Sequence, residues 1–223
     1  MKKKTVIVLG KGTLAIRVAD WFHTNPNYKL LMIIPGIPEP TWTDSFVAWA
    51  KKHDVTFVAS GDFSDVNKYT NSSDTVDLAF SIFYDKIIKS WFIKRCKRIL
   101  NMHNGPLPRY RGVSPINWAL KNNESMHGIT IHEISEGVDN GPIVAQLTYS
   151  IYPQFDEVED VYKRALAYGW ILFEQTMSIL DKIEVTPQNE HLATYYSAKQ
   201  NIFLGERRDF TKRASRGIVS KRI

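Results

Sequence analysis

Cysteine is almost absent, with Cys96 alone among 223 residues, which excludes an intramolecular disulfide framework. Long apolar runs are missing too. No stretch approaches the eighteen or more residues of a membrane span. The basic opening MKKKTVIVLGKG has its apolar run TVIVL cut by Gly10 and Lys11 before a signal-peptide core is reached, so it reads as a first strand. These absences make a cytoplasmic protein the expectation. No internal repeat is visible, and 43% apolar with 23% charged residues is ordinary globular composition, unlike disordered or collagen-like chains. Charge of one sign is scarce except at the end: residues 205–223 hold seven Lys/Arg against two Asp/Glu, most of the net +6. A basic run of that kind contacts RNA or a phosphorylated ligand, or is a solvated terminus.

Short β-branched runs alternate with amphipathic stretches. TVIVL, LAIRVADWFH, KLLMIIP, TDSFVAWAKKH and VTFVAS predict strand, helix, strand, helix, strand, the pattern of βαβ units around a parallel sheet. DLAFSIF, DKIIKSWFIKRC, RILNMH and SPINWALKNN continue it as strand, helix, strand, helix, the last begun by Ser114 and Pro115. From His127 onward GITIHEI and PIVAQLTYSI read as neighbouring strands, followed by one long helix, VEDVYKRALAYGWILFEQTMSIL. The fold class is α/β, a Rossmann-like, mostly parallel sheet flanked by helices. One domain is expected over 1–183, with a short aromatic and basic extension over 184–223 that is too small for a core of its own.

Three patterns invite chemistry. Gly10-Lys11-Gly12-Thr13-Leu14-Ala15 has the G-x-G-x-x-A form of a dinucleotide loop, but KLLMIIPGIP offers no acidic residue for a ribose until Glu39. The alternative is a plain tight turn before a helix. Among six histidines, His127 and His132 stand at the two ends of one strand, where an odd separation aims them at opposite faces. No carboxylate or cysteine completes a ligand set, so no metal is expected. Asn101 and His103 share one face of a strand that ends in the Pro- and Gly-rich loop GPLPRYRG, and Asp139 lies in the turn EGVDNGPI. Loops of that kind gather beside strand ends, where ligands bind. On spacing alone, a capped strand end and an Asx turn explain the same residues.

Residues 101–146 closely resemble the formyltransferases that use 10-formyltetrahydrofolate. The resemblance runs through Asn101-Met102-His103, the loop Leu107-Pro108-Arg109-Tyr110-Arg111-Gly112, Trp118-Ala119, the strand Gly128-Ile129-Thr130-Ile131-His132, and Gly137-Val138-Asp139-Asn140-Gly141-Pro142-Ile143. Two positions depart from the family pattern: His127 stands for a threonine and Gly105 for a serine. The resemblance implies a formyltransferase in which Asn101 and a protonated His103 stabilise a tetrahedral oxyanion intermediate while Asp139 orients the imidazole and helps take the amine proton. By the same likeness SIFYDKIIKSWFI is similar to the segment holding the folate pterin ring, so Ser81, Phe83, Tyr84 and Ile87, with Ile134, Gly137 and Val138, are the expected donor contacts.

Segments SPINWALKNNE and DNGPIVAQLTYSI are similar to enzymes that formylate amino sugars carried on UDP or dTDP. The expected acceptor is therefore a nucleotide-linked amino sugar of cell-surface polysaccharide, such as lipopolysaccharide O-antigen, with no nucleic-acid or membrane partner. Pro106, Tyr110, Arg111 and Gly112 are expected to meet it. Tyr195 or Tyr196 would stack on its base, and Lys199, Arg207 or Arg208 would meet the diphosphate; packing of the aromatic pair onto the sheet is the alternative. The methionyl-tRNA enzymes of the family add a barrel domain that the last 40 or so residues are too few to build. An apolar extension would suit a homodimer. A reading of another class, a nucleotide-binding module using Gly10–Ala15, predicts NAD binding and indifference to folate.

Overall fold

The computed structural model describes residues 2–71 and 75–206. Packing divides the chain into two compact units, Met1–Met102 with Glu133–Glu136, and His103–His132 with Gly137–Ile223.

The first unit carries β1 (Lys4–Gly10), α1 (Gly12–Thr24), β2 (Tyr28–Pro35), α2 (Phe46–Lys52), β3 (Val76–Ile82), α3 (Ser90–Arg95) and β4 (Cys96–His103), which runs to the boundary. β1 pairs in parallel with β2 and β3, and β3 with β4. Val6 to Leu9 are wholly buried, which is why this strand reads as an unbroken apolar run rather than an alternating one. Leu14, Ala15, Val18, Ala19 and Phe22 form the buried stripe of α1, the spacing of a one-faced helix. Each fully buried phenylalanine, such as Phe22, Phe80 or Phe92, contributes about 2–3 kcal/mol of transfer free energy. The lone Cys96 is buried, and burial pushes its thiol up to about 12, so it is no nucleophile near neutral pH.

Two expected elements differ. VTFVAS is not a strand; only Phe57 bridges to Ile33, because Gly61 at φ 62° turns the chain away immediately afterwards. DKIIKSWFIKRC is helical only over Ser90–Arg95. The preceding loop is drawn to a neighbouring turn instead, with Tyr84 Oη donating to Gly61 O at 2.7 Å and Lys86 Nζ 3.1 Å from Asp62 Oδ2.

The second unit adds β5 (Arg111–Gly112), α4 (Pro115–Lys121), β6 (Met126–Glu133), β7 (Ile143–Ser150), α5 (Val158–Ile179), β8 (Tyr195–Tyr196) and α6 (Ile202–Glu206). β6 and β7 are antiparallel, with a register shift between Ile131 and His132. The strand order of the six-stranded sheet is β2-β1-β3-β4-β6-β7, a mostly parallel sheet with helices. Glu157 and Asp160 form a reciprocal capping box that starts α5.

The division does not follow the expected 1–183 and 184–223 boundary. Thr186 bridges to Ile143 with backbone bonds of 2.7 and 2.8 Å, and β8 pairs in parallel with β5. These bonds tie Thr186 and Tyr195–Tyr196 to the rest of the second unit. Among the described residues no helix is long and apolar enough to cross a membrane. The basic tail, including Arg207 and Arg208, lies outside them.

Candidate active site

His103 ends β4, and Asp139 lies in the turn between β6 and β7 at φ 49°. The fold brings them together: His103 Nδ1 is 3.5 Å from Asp139 Oδ2. On the other side His132, the penultimate residue of β6, places Nε2 3.4 Å from Asp139 Oδ1. The Gly112 N–H donates to Oδ2 at 2.9 Å. One carboxylate thus lies between two imidazoles and an amide, with both rings buried. Asn101 stands two residues before His103 on β4, half-buried, opposite Ser81 in the register of β3 and β4.

Protonation follows from these contacts. Burial by itself would raise the Asp139 carboxyl, but His103, His132 and the Gly112 amide together hold it well below the usual carboxylate range. Burial pushes the His103 imidazole below its ordinary value although Asp139 pulls it the other way. The protonated His103 implied by the family resemblance is favoured by Asp139 and opposed by burial. Its Nε2 is 2.7 Å from the Tyr110 carbonyl oxygen. A carbonyl only accepts, so Nε2 carries a hydrogen, and the Asp139 carboxylate, also an acceptor, favours a second hydrogen on Nδ1. That arrangement sets a carboxylate beside an imidazole, a pairing suited to general acid–base chemistry.

The loop after His103 is pinned by β6 and β7. His127 Nε2 donates to Asn104 O at 3.1 Å, Thr130 Oγ1 donates to Gly105 O at 2.7 Å, and Gln146 Nε2 donates to Leu107 O at 2.8 Å. The register shift between Ile131 and His132 interrupts the simple alternation along β6; His127 holds backbone while His132 faces Asp139. Sequence spacing by itself gives His132 no role beyond that of a residue lacking a metal-ligand set. Its position at the end of a strand, just before the turn that carries Asp139, is the signal that could have found it.

The other expected contacts separate into two kinds. Tyr110 is buried, its ring stacked on Tyr196 at 5.6 Å, and Tyr196 in turn stacks on Trp118 at 4.3 Å. Arg111 is buried and engaged by Gln188 and Glu190. These three side chains are committed to packing and pairing within the unit, which is the ordinary packing alternative for Tyr196. Gly112 supplies an amide to Asp139 as described. Tyr195 is 54% exposed, Lys199 is exposed and Pro106 half-buried. Of the donor group, Ser81 is buried in β3, Phe83 turns at φ 54°, Tyr84 binds Gly61 as above, and Ile134 donates its N–H to Ile99 O at 3.0 Å. Ile87 is 65% exposed, and Gly137 and Val138 are exposed.

Gly10 has a steric reason to be glycine: a Cβ there would stand 2.3 Å from Ile82 O. The first turn of α1 is occupied, with Thr13 N donating to Thr43 Oγ1 at 3.2 Å and Lys11 Nζ paired with Asp85 at 2.5 and 2.6 Å. The helix amide that a dinucleotide phosphate would use is thus shared with protein. Among the described residues no cluster of three or more His, Cys, Asp or Glu is arranged to hold a metal.

Comparison with known proteins bears on this geometry. The sequence model of the Formyl transferase family matches residues 45–176. A methionyl-tRNA formyltransferase of Fervidobacterium nodosum is 29% identical over 140 residues, 62% of this chain and 43% of its own length. The chain spans between 19% and 65% of the length of the first curated relatives it matches. The N-formyltransferase of Helicobacter canadensis, in complex with folinic acid and dTDP-3-aminofucose, superposes with a TM-score of 0.76 at 24% identity, over 88% of this chain and 71% of that one. The formyltransferase PseJ of Anoxybacillus kamchatkensis, in complex with UDP-4,6-dideoxy-4-formamido-L-AltNAc and tetrahydrofolate, superposes at 0.64 and 22% identity, over 98% of this chain and 100% of that one. At these identities the two structures establish a shared fold.

Proposed function

Because the chain belongs to the formyl transferase family, we propose that it moves a formyl group from 10-formyltetrahydrofolate to the amine of a dTDP- or UDP-linked amino sugar. The observation that carries this reading is the His103–Asp139 pair, at the end of the strand that bears Asn101. The folate supplies a formyl carbon already activated on nitrogen, so no metal is required. The chain's residues do the rest. Attack of an amine puts negative charge on the formyl oxygen, and the Asn101 carboxamide is the donor for it. The Asp139 carboxylate, beside the His103 imidazole it orients, takes the amine proton, and the proton passes on to the departing folate nitrogen. One C–N bond forms, one breaks, and the proton moves between the two nitrogens.

The acceptor class is supported by the structural likeness to enzymes crystallised with dTDP- and UDP-linked amino sugars. Tyr195 and Lys199, exposed beside the β5–β8 pair, have the chemistry for a pyrimidine base and a diphosphate. Ile87, which is exposed, and the half-buried Phe83 and Ile134, with Gly137 and Val138, are the proposed contacts of the folate.

Incubation with 10-formyltetrahydrofolate and a panel of dTDP- and UDP-linked 3- and 4-amino sugars should yield tetrahydrofolate and a formamido sugar. Asn101→Ala, His103→Asn and Asp139→Asn should each lower turnover roughly 10²–10³-fold in folded protein. Formylation of initiator methionyl-tRNA and of no sugar nucleotide would overturn the acceptor, and near-normal rates in all three variants would overturn the triad.

A further inference from the structure

The residues after Ile183 do more than complete the second unit. We infer that Gln188 is a positioning residue, one that sets the orientation of Asp139 toward His103 by clamping both sides of the hydrogen bond that holds the carboxylate. A primary carboxamide offers two donor hydrogens and two acceptor lone pairs. Gln188 engages all four. Nε2 donates to Asp139 O at 2.8 Å and to Gly141 O at 2.7 Å. Oε1 accepts from Arg111 Nε at 3.0 Å and Nη2 at 2.8 Å.

Those partners sit on the two sides of one contact. Arg111 immediately precedes Gly112, whose N–H donates to Asp139 Oδ2 at 2.9 Å, and the Gln188 amide grips the backbone of the acceptor residue. Asp139 lies at φ 49°, a left-handed conformation that is uncommon outside glycine, better tolerated by aspartate than by most residues, and held more firmly under an outside constraint. A donor fixed on the Asp139 carbonyl and another two residues later on Gly141 supply that constraint. Glu190 secures the far side of the clamp, accepting from Arg111 Nη1 at 2.9 Å and Nη2 at 2.7 Å. Arg111, expected from the sequence to meet substrate, is thus the link between this segment and the carboxylate.

Glutamine is chemically specific here. A glutamate of the same shape would keep the bonds from Arg111 but turn a carboxylate oxygen toward two carbonyl oxygens. Gln188→Glu therefore breaks the turn while preserving the link to Arg111, and Gln188→Leu removes both. Positioning errors of about 1 Å cost on the order of 10²-fold in rate, and groups that orient reactive ones 10–100-fold.

The kinetic side of this inference rests on the formyl-transfer reading, so two measurements are needed. With 10-formyltetrahydrofolate and the amino-sugar panel, Gln188→Glu should lower kcat about 10–100-fold with KM for the folate changed less than about threefold. In protein carrying ¹⁵N-labelled histidine, the His103 titration midpoint should fall in both variants, because the carboxylate that raises it is displaced. A purely structural role would lower the melting temperature without moving that midpoint. Unchanged kcat and unchanged His103 titration in folded Gln188→Glu overturn the inference. A shifted titration in a protein whose wild type formylates nothing overturns the proposed reaction and leaves the clamp standing.

Discussion

Gly112 donates its backbone N–H to Oδ2 of Asp139 over 2.9 Å, and it does so from φ 92° with the Tyr196 carbonyl oxygen pressed against it. A Cβ on Gly112 would stand 2.1 Å from that oxygen. Gly112→Ala is therefore expected to part β5 from β8, loosen the Asp139 carboxylate and destabilise the fold by about 1–3 kcal/mol. Thermal melting together with turnover checks it; a melting temperature equal to wild type would show that the contact is dispensable.

His132 should matter through Asp139. Its Nε2, 3.4 Å from Oδ1, is one of the groups that hold the carboxyl low. In His132→Phe the carboxyl should titrate at higher pH, so the acid limb of the activity profile moves toward neutrality and turnover falls about tenfold. A pH–rate profile superimposable on wild type would remove His132 from the site.

The buried His127 makes stability depend on pH. Burial is the main cause that lowers its imidazole from 6.5 to about 4, with the Asn104 carbonyl pulling it up and His103 pushing it further down. The folded ring stays neutral where the unfolded ring binds a proton. Its contribution is therefore complete above pH 6.5 and is lost as the pH falls toward 4, on the order of 3 kcal/mol in all. His127→Gln should show a shallower loss of stability than wild type in denaturant titrations between pH 7 and 4.5. Parallel curves for the two proteins would contradict this.

The glycine-rich turn before α1 should not give NAD a tight site. Thr13 N is bonded to Thr43 Oγ1 and Lys11 to Asp85, so one amide of the first helical turn and the nearby ammonium are already engaged by protein. Calorimetric titration is expected to show folate binding and no NAD binding. Micromolar NAD affinity with no response to folate would favour a nucleotide-binding module over an enzyme.

Periodicity alone located most of the elements, because a strand buried on both faces is an uninterrupted apolar run and a one-faced helix repeats every three or four residues. That is why β1, α1, β2, β3, β4, β6, β7 and α5 were legible as written. VTFVAS and the start of DKIIKSWFIKRC were not, since whether a short apolar stretch pairs or turns depends on Gly61, Asp62 and Phe83 elsewhere in the chain. The sheet class, Asn101 beside His103, and the formyltransferase likeness of 101–146 are properties of local order along the polypeptide, and sequence by itself determined them.

Tertiary structure decided what those residues touch. Asp139 meets His103 and His132 only because a turn folds back onto strand ends, and burial there, a property no local pattern records, pushes the His103 imidazole below its ordinary value. Charge and aromaticity at Arg111 and Tyr196 are visible in one dimension; their partners Gln188, Glu190 and Trp118 are visible only in the fold. Hydrogen bonds and desolvation act across space between segments remote in sequence, so the clamp on Asp139 could be read only once those segments were in place.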